Sequence, residues 1–186
     1  MKNKEIRKLV KPEIRTEGDS IKVSGYAATF DDVTSIGGYF DEVIERGAFK
    51  DAIKRDDVRF LINHDGLPLA RTASGTLTLK EDSKGLYMET ELNMSDPDVQ
   101  RIVPKMERGD LNEMSFAFMP TVEEWDESGD TPLRKIKEAE LFDVAIVTYP
   151  AYNSTEIGLR SLEDAQKPKK NYRLNRLKTR QAESGM

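Results

Sequence analysis

Cysteine is absent from the 186 residues of this chain, and histidine occurs once, as His64. The absence of cysteine excludes disulfides, thiolate metal sites and cysteine nucleophiles, and it agrees with a reducing compartment. One histidine without cysteine argues against a transition-metal site. The sequence also has no P-loop, no dinucleotide fingerprint and no H-E-x-x-H motif. An all-carboxylate site for a hard cation stays open, but no loop signature for one is present. We therefore expect neither a bound metal ion nor another cofactor.

Long hydrophobic runs are also missing. No stretch approaches the roughly 18 apolar residues of a membrane-spanning helix, and the first ten residues, "MKNKEIRKLV", contain no apolar signal-peptide core. The net charge is −5, so no overall basic field attracts nucleic acid. These features predict a protein that stays in the cytoplasm, with no membrane partner and no nucleic-acid partner.

Alternating apolar and polar residues predict strands through most of the chain, beginning at Ile21. Helical spacing predicts one short helix within 46–57 and a second within 93–110. In the second, Ser95 is the expected N-cap, Pro104 is expected to kink or split the helix, and Gly109 to end it. The predicted class is mainly β with short helices (α+β), either a barrel or a sandwich.

Composition divides the chain into three parts. Residues 1–20 are predicted to be a polar N-terminal arm, and residues 21–162 the folded domain. Residues 163–186 form a basic tail, in which 167–180 hold seven Lys or Arg and no acid. Such a tail is typical of a disordered, solvated end, and alternatives are a docking arm for an acidic partner or a segment that is removed later.

The residues that could carry chemistry are His64, Ser115 and Asp143. A lone histidine at a strand end is more often structural than catalytic, but without cysteine any nucleophilic hydrolysis must pair it with Ser or Thr. In "MSFAFMP" strand alternation places Ser115 away from the core face, and in "FDVAIVTYP" it places Asp143 and Ala145 together. If the two strands are neighbours, a hydroxyl and a carboxylate share one cleft. On pattern alone, the favoured interpretation is that both are ordinary outward polar residues of half-exposed strands.

Five short motifs resemble, in order and spacing, the prohead maturation proteases of tailed phages. This family is distantly related in fold to the herpesvirus capsid assembly proteases, and the resemblance runs from about Gly25 to about Ile157. The motifs are "GYAATFDD", "GAFKDAI", "FLINHD", "RGDLNEMSFAF" and "LFDVAIVTYPAYNSTEI". The resemblance implies a herpesvirus-assemblin-like β-barrel, with 21–162 as the protease domain.

The resemblance also implies an activity and its residues. The protein would be a serine endopeptidase that cleaves scaffold, or the scaffolding segment of the major capsid protein, and then itself. His64 matches the family histidine and Ser115 the nucleophile. Where family members often have Glu-Val-Ser, this chain has "DVA", which gives Asp143 the acid position and leaves Glu140 as the fallback.

The implied partners are the major capsid protein or scaffold protein, bound as an extended peptide that adds a strand to a sheet. Self-association remains open. The implied place of action is the assembling procapsid in the cytoplasm of the bacterial host. An alternative from another class is a non-enzymatic capsid assembly module that holds scaffold on the same fold. A barrel that binds nucleic acid through its tail is a third interpretation, which the net acidity opposes.

Overall fold

The computed structural model describes residues 4–9, 12–17 and 20–148. Strands dominate these residues, and two short helices interrupt them. In chain order the elements are β1 (Glu5–Leu9), β2 (Glu13–Glu17), β3 (Ser20–Thr29), β4 (Thr34–Ile36), β5 (Phe40–Ile44), α1 (Ala52–Arg55), β6 (Arg59–Ile62), β7 (Asp65–Arg71), β8 (Leu77–Glu81), β9 (Gly85–Asn93), α2 (Pro97–Glu107), β10 (Glu113–Asp126) and β11 (Leu133–Val147).

The strands pair in two sheets. The larger sheet follows the order β1-β10-β11-β5-β4, and β6 also pairs with β11 and carries β7 on its other side. Strand β10 runs antiparallel to β11 along its whole length, whereas β5 and β6 pair in parallel with two different parts of β11. The smaller sheet has the order β2-β3-β9-β8. Long β11 therefore connects the parts of the larger sheet.

The main core contains side chains from both sheets and from the two helices. Strand β10 contributes Met114, Phe116 and Phe118, which are fully buried, and the smaller sheet contributes Val23 and Met88 to the same cluster. In the first part of β10, from Met114 to Phe118, every second residue thus packs into the core, as the alternation predicts. The residues between them face the other side of the sheet.

Helix α2 differs from the prediction at its N-terminus. The N-cap is Asp96 and not Ser95, because the Asp96 carboxylate accepts the backbone N–H of Asp98 at 2.8 Å and Pro97 follows in the first turn. The predicted apolar face is confirmed, since it is buried in the core. Its members are Val99, Ile102, Val103 and Met106.

Pro104 does not split α2, so a split helix was a wrong expectation, whereas a kink at this residue remains a prediction. The helix continues from Pro97 to Glu107 across Pro104. Proline removes one backbone donor, and here the loss falls in the last turns of a helix that its buried face holds against the core. Gly109 lies just beyond the end with φ of 83°, a left-handed conformation that glycine adopts without steric cost.

The mainly β class with short helices is confirmed, whereas a closed barrel remains a prediction. Within the segment predicted to be a polar N-terminal arm, β1 joins the larger sheet and β2 the smaller one. The basic tail, 163–186, lies outside the described residues. In the part of the chain that the structure describes, no helix is long and apolar enough to cross a membrane.

Candidate active site

His64 occupies the tight turn between β6 and β7. Ile62 pairs with Asp65, so Asn63 and His64 form a two-residue hairpin loop, with φ of 51° and 61°. Positive φ at both positions is what the favoured type I′ hairpin turn requires, and it is uncommon for residues other than glycine. Such backbone conformations persist where the surrounding structure holds them in place, often at functional sites.

The Asn63 side chain supplies part of that support. The side-chain Oδ1 accepts the backbone N–H of Thr148 at 3.0 Å and the Thr148 hydroxyl at 3.2 Å. The backbone N–H of Asn63 donates to the Ile146 carbonyl at 3.0 Å. These bonds join the turn to the end of β11. Asn63 was not predicted from the sequence, although asparagine is among the residues that tolerate the first position of such a turn.

Ser115 and Asp143 lie on the neighbouring strands β10 and β11, as the cleft hypothesis requires. Ser115 pairs with Ala145 and Ala117 pairs with Asp143, so all four positions lie on the face opposite the main core. Both alanines are fully buried. Small side chains at these positions leave the hydroxyl and the carboxylate free to reach the same imidazole.

The His64 ring connects the other two side chains. Its Nδ1 lies 2.5 Å from Asp143 Oδ1, and its Nε2 lies 2.7 Å from Ser115 Oγ. Asp143 is 2% exposed and Ser115 is not exposed at all. Glu140, the fallback acid, pairs with Met119 on β10, and the ring contact is made by Asp143. This is the order of groups that a serine nucleophile, its base and an orienting acid require.

Strand β1 covers this arrangement. Ser115 Oγ donates a hydrogen bond to the Arg7 carbonyl at 2.6 Å, and the ammonium of Lys4 lies 2.5 Å from Asp143 Oδ2. Ser115 has one hydroxyl proton, so it cannot donate to the Arg7 carbonyl and to His64 Nε2 at the same time.

Beside the three residues lies a buried group of charges, again shared between β1 and the rest of the molecule. Glu5, Arg7, Glu42 and Arg134 are each at most 7% exposed. Arg134 binds both carboxylate oxygens of Glu5 at 2.7 and 2.9 Å, and Arg7 Nη2 lies 2.7 Å from Glu42 Oε2. These residues were not predicted from the sequence, because nothing local marks a charge as buried.

The pKa values of these groups follow from their pairing. Burial raises the pKa of Glu5, but hydrogen bonds and the charges of Arg134 and Arg7 lower it more, and the result lies below the ordinary value. Burial lowers the pKa of Arg7, but the Glu42 carboxylate raises it above the ordinary value. The pKa of Arg134 is likewise raised, because Glu5 and Glu42 outweigh the effect of burial. All of these shifts favour the charged forms.

Comparison with known proteins assigns the chain to a family. The family model described as "Caudovirus prohead serine protease" matches residues 8–168. A solved structure, "Structure of the bacteriophage T4 capsid assembly protease, gp21", is similar in fold, with a TM-score of 0.55 and 11% sequence identity over 77% of this chain and 96% of that chain. No curated protein sequence matches the chain. Because the family model covers most of its length, the chain belongs to the caudovirus prohead serine protease family.

Proposed function

We propose that this chain is a serine endopeptidase that cleaves scaffold, or the scaffolding segment of the major capsid protein, and itself during procapsid maturation. Family membership supports a procapsid maturation protease. The single observation that carries the serine mechanism is the His64 ring, which bridges Ser115 at 2.7 Å and Asp143 at 2.5 Å. In this proposal Ser115 is the nucleophile, His64 the general base and Asp143 the acid that orients the ring.

The chemistry would proceed in two steps. Ser115 Oγ attacks the carbonyl carbon of a bound peptide while His64 Nε2 takes the hydroxyl proton. The carbon–nitrogen bond then breaks, the amine leaves with the proton from His64, and an ester to Ser115 remains. Water attacks this ester by the same base catalysis and regenerates the hydroxyl. Asp143 holds the Nδ1 proton throughout, so that Nε2 faces Ser115, and it stabilises the imidazolium.

The finer features implied by the family belong to the same proposal. The protease would act inside the assembling procapsid in the cytoplasm of the bacterial host. The domain of 21–162 would complete a barrel of the herpesvirus assemblin type. The basic tail, 163–186, would dock on scaffold or shell, or be removed by self-cleavage. The opposite charges of the acidic body and the basic tail are compatible with docking on either the scaffold or the shell.

The test is co-expression with the matching capsid protein, followed by mass spectrometry of both chains. We expect shortened products with the wild type and none with Ser115→Ala. Ser35→Ala is the matched control, because Ser35 is exposed on β4 and distant in sequence from the site. Equal truncation with Ser115→Ala would contradict the proposal. Intact capsid protein that copurifies with every folded variant would instead support the non-enzymatic assembly module.

A further inference from the structure

Three residues near the N-terminus, Lys4, Glu5 and Arg7, contact the candidate site or the buried charges beside it. The Lys4 ammonium binds Asp143, Glu5 binds Arg134, and the Arg7 guanidinium binds Glu42. The backbone of β1 runs antiparallel to β10, with Lys8 opposite Ser115. A segment that merely closed the edge of the sheet would need only the backbone pairing. The side-chain contacts show that β1 is also recognised by its charges.

The position of β1 is incompatible with access to the nucleophile. Ser115 is completely buried, and its hydroxyl donates to the Arg7 carbonyl at 2.6 Å. In this hydrogen bond the carbonyl oxygen is nearer to Ser115 Oγ than the carbonyl carbon is, whereas attack requires approach to the carbon. A peptide carbonyl thus lies at the nucleophile in an unreactive orientation. An external peptide reaches Ser115 only after β1 leaves.

The body of the protein keeps its own charges paired without β1. Glu42 on β5 lies 3.0 Å from Arg134 on β11, and Arg134 also binds Glu123 of β10 at 2.5 Å. Release of Glu5 and Arg7 would therefore leave no isolated buried charge, which is otherwise strongly destabilising. It would leave the former partners of β1, the Glu42 carboxylate and the Arg134 guanidinium, beside an open strand edge. An extended peptide can add to such an edge.

We propose that β1 occupies the peptide-binding site of this protein as a self-inhibitory strand. Resting on the proposed protease function, we further propose that the site accepts extended peptides charged as in Glu5-Ile6-Arg7. The acidic residue of such a peptide pairs with Arg134, and the basic residue, two positions later, pairs with Glu42. The bond that is cleaved follows the basic residue, because the Arg7 carbonyl lies at Ser115. Substrate binding then requires displacement of β1.

The first test asks whether the charges of β1 protect the nucleophile. Arg7→Glu places a carboxylate against Glu42, and Glu5→Gln weakens the second contact with little change in shape. Arg15→Glu is the control, since Arg15 is an exposed arginine on β2 that also has an acidic partner. The readouts are the rate at which a fluorophosphonate labels Ser115 and the hydrogen exchange of the backbone amides of residues 5–9.

We expect Arg7→Glu to speed both labelling and amide exchange at least tenfold, Glu5→Gln to have a smaller effect, and Arg15→Glu to have none. Hydrogen exchange in β10 and β11 verifies that each variant is folded. Faster exchange in β1 with Ser115 still labelled at the wild-type rate would show that β1 does not shield the nucleophile and would overturn the proposal. Unchanged exchange in both variants would overturn it too, since the charges would not hold the strand.

The second test uses peptides. The Arg7→Glu protein is given an octapeptide with the sequence of residues 3–10, "NKEIRKLV", and a control peptide in which the Glu and Arg are exchanged. We expect kcat/KM to be at least tenfold higher for the first, with cleavage after Arg. Equal cleavage of both would overturn the specificity while leaving the protease function intact. Absence of both labelling and cleavage after β1 has been released would instead overturn the proposed function itself.

Discussion

Replacement of Asp143 by asparagine separates the orienting role of this carboxylate from its place in the packing. The side chain is 2% exposed, its Oδ1 contacts His64 Nδ1 at 2.5 Å, and its Oδ2 contacts the Lys4 ammonium. Asparagine keeps the shape but has one acceptor oxygen and one donor NH2. An ammonium can only donate, so Lys4 draws the amide oxygen and turns the NH2 toward His64.

This orientation reverses the tautomer of His64. With an NH2 donor facing it, Nδ1 must accept, and the ring proton moves to Nε2, where it cannot take the Ser115 proton. The loss of a correctly oriented tautomer lowers kcat by about 10⁴, which corresponds to about 5.5 kcal/mol of transition-state free energy. Release of β1 removes the bias from Lys4, and general base catalysis alone contributes about 10²–10⁴. The expected loss in kcat for Asp143→Asn is therefore between about 10² and 10⁴.

The assay is the initial rate of peptide cleavage, measured beside thermal unfolding so that a change in folding is seen separately. Glu140→Gln is the matched control, because Glu140 lies on the same strand and was the fallback acid. We expect it to change kcat less than twofold. A comparable loss in both variants, or an active Asp143→Asn protein, would refute the assignment of Asp143 as the residue that orients His64.

Three further predictions concern stability. Arg134→Met leaves the buried carboxylate of Glu5 without its main partner, which should lower the free energy of unfolding by about 3–5 kcal/mol. Calorimetry should therefore show a Tm lower by about 6–20 °C, and an unchanged Tm would contradict a stabilising role of this ion pair. Folding lowers the pKa of Glu5 below its ordinary value of 4.5, so the stabilisation from this carboxylate is complete above that pH and is lost as the pH falls through the folded-state pKa. In a plot of the urea unfolding midpoint against pH, Glu5→Gln should therefore reduce the slope in the acid range. Glu13→Gln should leave the slope unchanged, because Glu13 is exposed. A Cβ at Gly85 would lie 1.9 Å from the Ala28 carbonyl oxygen, so Gly85→Ala should lower the free energy of unfolding in urea by about 1–3 kcal/mol or more. At Gly129 the nearest atom would lie 3.7 Å away, so Gly129→Ala should change this free energy by less than about 0.5 kcal/mol. Similar costs for both variants would refute the steric argument.

Local pattern in the sequence determined much of the strand structure and the choice of candidate residues. Alternation placed Met114 and Phe116 in the core and Ser115 on the other face, because side chains of a strand alternate regardless of its neighbours. The spacing of apolar residues identified the buried face of α2. The same local rules failed at Pro104, since helix continuation there depends on packing against the core and not on the intrinsic preference of proline.

Tertiary structure alone decided what these residues meet. Strand register decides that Ala117 pairs with Asp143. It also decides that the turn at Asn63 is hydrogen-bonded to Thr148 at the end of β11. No local pattern in the sequence encodes this register. The burial of β1 was likewise invisible in the sequence. Glu5 is stably buried because Arg134, 129 positions later, supplies an opposite charge beside that of Arg7. Composition describes such residues as solvated, and only the fold brings their partners within hydrogen-bond distance.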